Sequence, residues 1–411
     1  MSSTSRTRPS NRRRTLLAGT ATLTVALTAC SAGGAEQADA AGPSRQSPAI
    51  SVNLHGKHAE AGQPVRVEIA SGRLNDVTVS DSKGGHLDGK VSGDGTSWTS
   101  DGEAAPGTAY SVRAEDEYGA DAEAAFTTAT PDKVNKLSLT PGNKSTVGVA
   151  QPLSVVFDHP VKNKAAVEER LKVTTSNGTV GSWGWLRDYS GKDRVDWRPE
   201  HYWKPGTKVS LKADLDGVDS GTGGGWFVRD YATHFTIGER QIVKVDLDSH
   251  RLRLTRDGWP VKEVPMSAGT PGGNKASWRG TTVLMSKEGT INMRSETVGL
   301  GDAYDKMVDS SMRLTWSGMY AHAAPWNKAY FGKANKSSGC VGMSDKDAAW
   351  IYRHVRVGDP FEITGEDAKG TVAPNNGYGE WNLSWADWRT KSATSSATPG
   401  ATKGTAQGTT R

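Results

Sequence analysis

Val65-Arg66-Val67-Glu68-Ile69 alternates apolar and charged residues at every step. A period of two puts the three aliphatic side chains on one face of an extended strand and both charges on the other. The same pattern holds upstream at Ile50, Val52 and Leu54, and downstream at Tyr110, Val112 and Ala114. Clusters of Gly, Pro, Asp and Ser separate the runs. Short half-apolar strands between turn signals predict a β-sandwich over residues 48–129.

A second unit of the same kind is expected over residues 130–239. Leu153, Val155 and Phe157 repeat the alternation, as do Val209 and Leu211. Pro106-Gly107-Thr108 and Pro205-Gly206-Thr207 stand before corresponding strands in the two units. This echo predicts two tandem immunoglobulin-like β-sandwich domains, the second carrying a short helix at Ala165–Leu171. A third, β-rich unit is expected over residues 240–365. Val243, Val245 and Leu247, then Leu252 and Leu254, flank Asp248-Ser249-His250-Arg251 as a hairpin. Further strands are read at Thr281–Met285, Gly318–His322 and Phe361–Thr364. One helix is marked by Ser344 as cap, with Asp345 and Asp347 in its first turn, and runs to about Val355. A Trp-rich appendage spans 366–390, and 391–411 reads as a disordered tail. Of the 14 tryptophans, all but Trp98 lie from Trp183 onward; their expected work is core and interdomain packing. The fold class is mainly β.

The chain has 411 residues, with 50 Lys and Arg against 45 Asp and Glu. Arg6, Arg8, Arg12, Arg13 and Arg14 lie in the first 29 residues, which hold no acid. Without them the charge is near zero, so a nucleic-acid partner is not expected. The basic cluster, the apolar Thr15–Ala29 stretch and the small residues before Cys30 read as a secretory signal over 1–29. Leu27-Thr28-Ala29-Cys30 resembles the lipobox of bacterial lipoproteins, in which the cysteine is lipidated. Residues 30–47 then read as a flexible tether, and the protein is expected outside the cell, lipid-anchored to the outer face of the membrane and facing the wall. No run of 18 apolar residues predicts a membrane-spanning helix.

With Cys30 lipidated, Cys340 has no disulfide partner, since the chain has two cysteines. It sits in Ser337-Ser338-Gly339-Cys340-Val341-Gly342-Met343. The flanking glycines are expected to expose the thiol and bring backbone amides near it. Such amides lower a thiol pKa and hold an oxyanion. His322, in Tyr320-Ala321-His322-Ala323-Ala324-Pro325-Trp326, is a candidate base. On composition alone, a buried inert cysteine and a structural histidine are the favoured reading. No His, Cys, Asp or Glu spacing matches a metal site, and no metal or cofactor is expected.

His322, fourteen residues, then Ser337-Ser338-Gly339-Cys340 resembles the active-site signature of the L,D-transpeptidase (YkuD) family. The likeness runs from about Gln241 to Arg389 and includes the capped helix after the cysteine and Trp381-Asn382-Leu383-Ser384-Trp385. It is strongest to actinobacterial, mycobacterial-type lipoproteins with two immunoglobulin-like domains. The resemblance implies Cys340 as nucleophile and His322 as general base, with Ser338, Gly339 and Cys340 amides as oxyanion hole. It implies Tyr304 and Met293 on a lid, and Ser337 and Trp326 beside substrate. Two positions depart from the family pattern: Ser338 replaces its usual His, and Gly342 its usual Asn.

What the resemblance implies for function is a peptidoglycan L,D-transpeptidase forming 3→3 cross-links. Its partners would be a donor tetrapeptide stem and an acceptor stem. The competing expectations are an L,D-carboxypeptidase or cysteine peptidase acting on wall peptides, and a decayed wall-binding lipoprotein.

Overall fold

The computed structural model describes residues 47–394 apart from 300 and 303. Cys30, the export segment, nearly all of the tether and residues 395–411 lie outside the described residues. No described helix is long and apolar enough to cross a membrane.

In the first sandwich, Ile50–Val52, Pro64–Ile69, Ser97–Glu103 and Gly89–Val91 form one sheet, in that order. Gly56–Ala59, Asp121–Thr128, Ala109–Asp116, Leu74–Asp81 and His86–Leu87 form the other. Pro64–Ile69 alternates exposed and buried residues along its length. Val65 and Val67 are thereby buried against Val79, Val112 and Trp98. Each such aliphatic side chain contributes about 1.5–3 kcal/mol.

The second sandwich pairs Leu137–Thr140, Leu153–Phe157, Asp193–Pro199 and Gly181–Arg187 against Thr146–Val147, Tyr231–Ile237, Lys208–Ala213 and Leu171–Thr175. The short helix occurs at Lys164–Glu169. Gly107 and Gly206 both adopt positive φ, 62° and 77°, at the turns before their strands. That backbone requirement is what the repeated Pro-Gly-Thr recorded.

Asp193–Pro199 is buried at all seven positions. One face, with Val195 and Trp197, enters the sandwich core. The other, with Arg194, Asp196 and Arg198, is covered by the C-terminal segment. The Arg198 guanidinium lies 4.7, 5.5 and 5.0 Å from the ring centres of Trp381, Trp385 and Trp388. Its Nη2 donates to the Leu383 and Glu380 carbonyls at 3.2 and 3.3 Å. Arg194 pairs with Asp196 at 2.8 Å and lies 3.7 Å from Glu380. Burial, reinforced by the Asp196 charge, pushes Glu380 up to about 8. The packing role expected of these tryptophans is met: Trp381 Nε1 donates to the Ala150 carbonyl at 2.8 Å and Trp388 Nε1 to that of Ser182 at 3.0 Å. Gly184 makes room for this, since a Cβ there would lie 2.6 Å from the Trp388 ring.

The reading of 391–411 as a disordered tail needs correction at its start. Lys391 accepts from the Trp185 amide at 2.9 Å. Ala393 N and Thr394 Oγ1 donate to the Glu168 carboxylate at 2.8 and 2.9 Å, and Ser392 Oγ bonds to it as well. A buried carboxylate on the second sandwich thus holds three residues, and the Trp185 amide a fourth, whose composition carries no packing signal.

The third unit has two sheets. Trp259–Pro265, Arg251–Arg256, Gln241–Asp246, Pro360–Thr364 and Gly280–Val283 form the first. Ser286–Arg294, Asp305–Arg313, Tyr320–Ala323 and Val341–Met343 form the second. The helix spans Asp345–His354; Ser344 caps it, accepting from Asp347 N at 3.1 Å. The helix buries Ala348 and Ile351 in the same core as Met312, Val341 and Met343. This unit is joined to the second sandwich by backbone as well as side chains. Gly148 N donates to the Val357 carbonyl at 2.8 Å and Ala150 N to that of Gly358 at 2.9 Å.

Candidate active site

His322 and Cys340 come together because their strands are adjacent and parallel. Tyr320–Ala323 pairs with Val341–Met343, placing His322 beside Gly342. Cys340 precedes its strand by one residue. Gly339 before it adopts φ 122°, a conformation costly for any residue with a Cβ. Ser337 fixes this turn: its Oγ donates to the Cys340 carbonyl at 2.6 Å and accepts from Gly339 N at 3.2 Å. Ser277 Oγ holds the Gly339 carbonyl at 2.7 Å from the other side.

His322 and Cys340 line one cleft, together with Met293, Tyr304, Trp326, Ser337 and Ser338. The expected site residues of this unit meet in this cleft, except Gly339, which lines the smaller cleft next to it. Met293 comes from Ser286–Arg294, and Tyr304 from just before Asp305–Arg313. Ser295 ties the ends of these two strands together, accepting from Tyr304 N at 2.9 Å through its Oγ and donating from its own amide to the Tyr304 carbonyl at 3.0 Å. Trp326, 44% exposed, stands at the rim, its ring centre 6.0 Å from that of His322. Beyond Tyr304 and Ser338 lies a second, smaller cleft, lined also by Trp278, Gly318, Gly339 and Lys369.

Two expectations for the thiol are overturned. Cys340 is not exposed; it is 9% accessible, at the floor of the cleft. Its pKa is not lowered either. Burial pushes the thiol up to about 11, and the Tyr320 amide and the Lys369 charge only partly offset this. The thiol points at the Gly318 carbonyl, 3.6 Å away. The glycines shape the loop, but the elements folded over it set its solvation. The Gly339 amide is engaged by the Ser337 hydroxyl.

His322 is 4% exposed, and burial pulls its pKa down to about 4. Its Nδ1 lies 2.7 Å from the Ala323 carbonyl. A carbonyl accepts only, so Nδ1 carries the proton and Nε2 is left with a lone pair. At neutral pH the cleft therefore holds a protonated thiol and a neutral imidazole, a pair able to serve as nucleophile and base only if the proton moves during attack.

Sequence reasoning missed the cations. Lys306 and Lys336 line the first cleft and Lys369 the second. The Lys306 ammonium lies 4.5 Å from the Trp326 ring centre, and that of Lys369 is 4.5 Å from the Trp278 ring centre. An isolated lysine has no sequence signal that separates it from a solvated one; only the tryptophan beneath it does. Gly342 also finds a local reason. A Cβ there would lie 2.8 Å from the Ala324 Cβ.

Residues 240–363 match the L,D-transpeptidase catalytic domain (YkuD) model, and residues 56–219 match a bacterial Ig domain. L,D-transpeptidase 2 of Mycobacterium tuberculosis (strain CDC 1551 / Oshkosh) is 33% identical over 341 residues, covering 80% of this chain and 81% of that protein. L,D-transpeptidase 5 of Mycobacterium tuberculosis (strain ATCC 25618 / H37Rv) is 31% identical over 80% of this chain and 73% of that protein. An L,D-transpeptidase solved in complex with imipenem shares 32% identity, covers 56% of this chain and all of its own, and gives a TM-score of 0.48.

Proposed function

The chain belongs to the L,D-transpeptidase family, and we propose that it forms 3→3 peptidoglycan cross-links through a thioester on Cys340. The observation that carries this reading is the shared cleft of Cys340 and His322, with the imidazole held as the Nδ1–H tautomer by Ala323. His322 Nε2 takes the thiol proton as sulfur attacks the carbonyl of the third residue of a tetrapeptide stem. The amides of Ser338 and Cys340 receive the oxyanion. The C–N bond to the terminal D-Ala breaks, and His322 returns the proton to the departing amine. An acceptor amine then gives a proton to His322 and attacks the thioester. The peptide bond forms, the C–S bond breaks, and the thiol regains its proton. One peptide bond replaces another with little net energy change, so no ATP is required.

In this reading Met293 and Tyr304 cover the substrate, and Trp326 lines its path. Ser337 acts through the loop, holding Gly339 and the Cys340 carbonyl in place. The Leu27–Cys30 pattern supports a lipid anchor at Cys30 on the outer face of the membrane, with the two sandwiches as a stalk reaching toward the wall.

A tetrapeptide stem incubated with the protein separates the readings. Cross-linked dimer is expected, and Cys340→Ala should abolish it. Tripeptide without dimer would make the protein an L,D-carboxypeptidase. No product from the wild type would favour a decayed binding protein, a reading that Ser338 in the family's usual His position keeps in play.

A further inference from the structure

Lys306 occupies the wall of the His322 cleft. Its ammonium is seated over Trp326, whose ring in turn faces that of His322. The lining of this cleft includes a second cation, Lys336, and no Asp or Glu. The neighbouring Asp305 is turned to Arg294, at 3.6 Å. The aromatic face holds the ammonium in place without neutralising it. A positive charge with no acidic residue in the surrounding lining is thus presented on the wall of the cleft that His322 also lines.

We propose that Lys306 is a specificity-determining residue that pairs with a carboxylate on the carbon next to the reacting amine. This rests on the transpeptidase reading. His322 is the proton carrier in both half-reactions, so the departing amine and the attacking amine occupy the same place, within hydrogen-bond reach of Nε2. The departing D-Ala is an α-amino acid, with its carboxylate one carbon from that nitrogen. The acceptor amine has the same surroundings when its stem carries a diamino dicarboxylic acid, whose side-chain amine sits on a carboxylate-bearing carbon. A lysine side chain offers only a methylene there. One cation therefore serves both halves of the exchange. It selects stems that end at the fourth residue as donors, and amino-carboxylates as acceptors.

The test uses the full chain with a tetrapeptide donor and two competing acceptors, isotopically labelled D-alanine and D-alaninamide. The readout is the ratio of transfer to each, compared between wild type and variants, which cancels the difference in basicity of the two amines. Lys306→Met should lower the D-alanine to D-alaninamide ratio at least about tenfold, the loss expected for one charge-assisted hydrogen bond. Lys306→Arg should retain the wild-type ratio and Lys306→Glu should push it below that of Lys306→Met. Thermal unfolding checks that each variant is folded. An unchanged ratio in folded Lys306→Met or Lys306→Glu overturns the assignment. Absence of any transfer product from the wild type overturns the transpeptidase reading, and this inference with it.

Discussion

His322 donates its Nδ1 proton to the carbonyl oxygen of Ala323, its immediate neighbour, at 2.7 Å. Among the described residues no carboxylate bonds the imidazole, and burial holds its pKa at about 4. The base therefore stays neutral far below the ordinary histidine value of 6.5. On the acid side, kcat/KM should hold through pH 6 and fall only toward pH 4. The sign for stability is the same. Only the unfolded imidazole takes up a proton as pH falls below 6.5, so the stability due to the neutral buried ring is complete above that pH and lost toward pH 4. A pH–rate profile with an acid limb near 6.5 would refute this.

Lys369 is the cation whose charge favours the Cys340 thiolate. Its position is fixed through Ser277, whose carbonyl accepts from Lys369 N at 2.9 Å and whose hydroxyl holds the Gly339 carbonyl. Alkylation of Cys340 by iodoacetamide should rise with pH toward about 11. Lys369→Met should slow alkylation at neutral pH, where the ammonium is charged, while Lys369→Arg should not. Identical pH profiles for wild type and Lys369→Met would rule out the electrostatic role.

A carbapenem presents a strained carbonyl to the nucleophile in place of the donor stem. Intact-mass spectrometry should show one covalent adduct on the wild type and none on Cys340→Ser. Acylation should be slow to start at neutral pH, because the thiol must lose its proton during attack rather than before it. An adduct that persists in Cys340→Ser would place the nucleophile elsewhere.

Ser338 lies between the two clefts. In the proposed mechanism the oxyanion donors are backbone amides and the base is His322, so neither depends on the side chain at 338. Ser338→His should therefore change kcat/KM less than about a hundredfold, or roughly 2.7 kcal/mol of barrier. A wild type without activity that gains it only on Ser338→His would show instead that the serine marks decay.

Gly342 has no room for a side chain, with the Ala324 Cβ 2.8 Å from where its own would stand. Gly342→Asn should destabilise the protein by about 1–3 kcal/mol, as expected for overpacking. Adding Ala324→Gly should recover most of that in thermal melts. Full stability of the single variant would mean that the parallel strands of His322 and Gly342 separate easily.

The sandwiches were legible because their strands obey a period of two, and the Asp345–His354 helix because Ser344 and two acids announce its start. His322 and Cys340 stand out in the sequence only through the resemblance of their spacing to the family signature, and the structure brings both into one cleft. The solvation of Cys340 was not legible, since it depends on Gly318, Tyr320 and Lys369, which are distant in the chain and leave no local mark. Arg194, Asp196 and Arg198 alternate with Val195 and Trp197 and so read as a solvent face. Only the C-terminal tryptophans reveal that this face is covered. Residues 391–394 show the converse: the Trp185 amide and the Glu168 carboxylate, not their own composition, order them.

The doubly covered Asp193–Pro199 strand has a mechanical consequence. A catalytic unit hung on a slack linker would explore a sphere, and its encounters would follow chain statistics. Here the Gly148 and Ala150 amides and the tryptophan cage around Arg198 remove that slack between the second sandwich and the cleft. The opening of the cleft then points in a direction set by the sandwich. Which strands of the wall it meets becomes a matter of the molecule's heading, and a single arginine at the joint acts as its bearing.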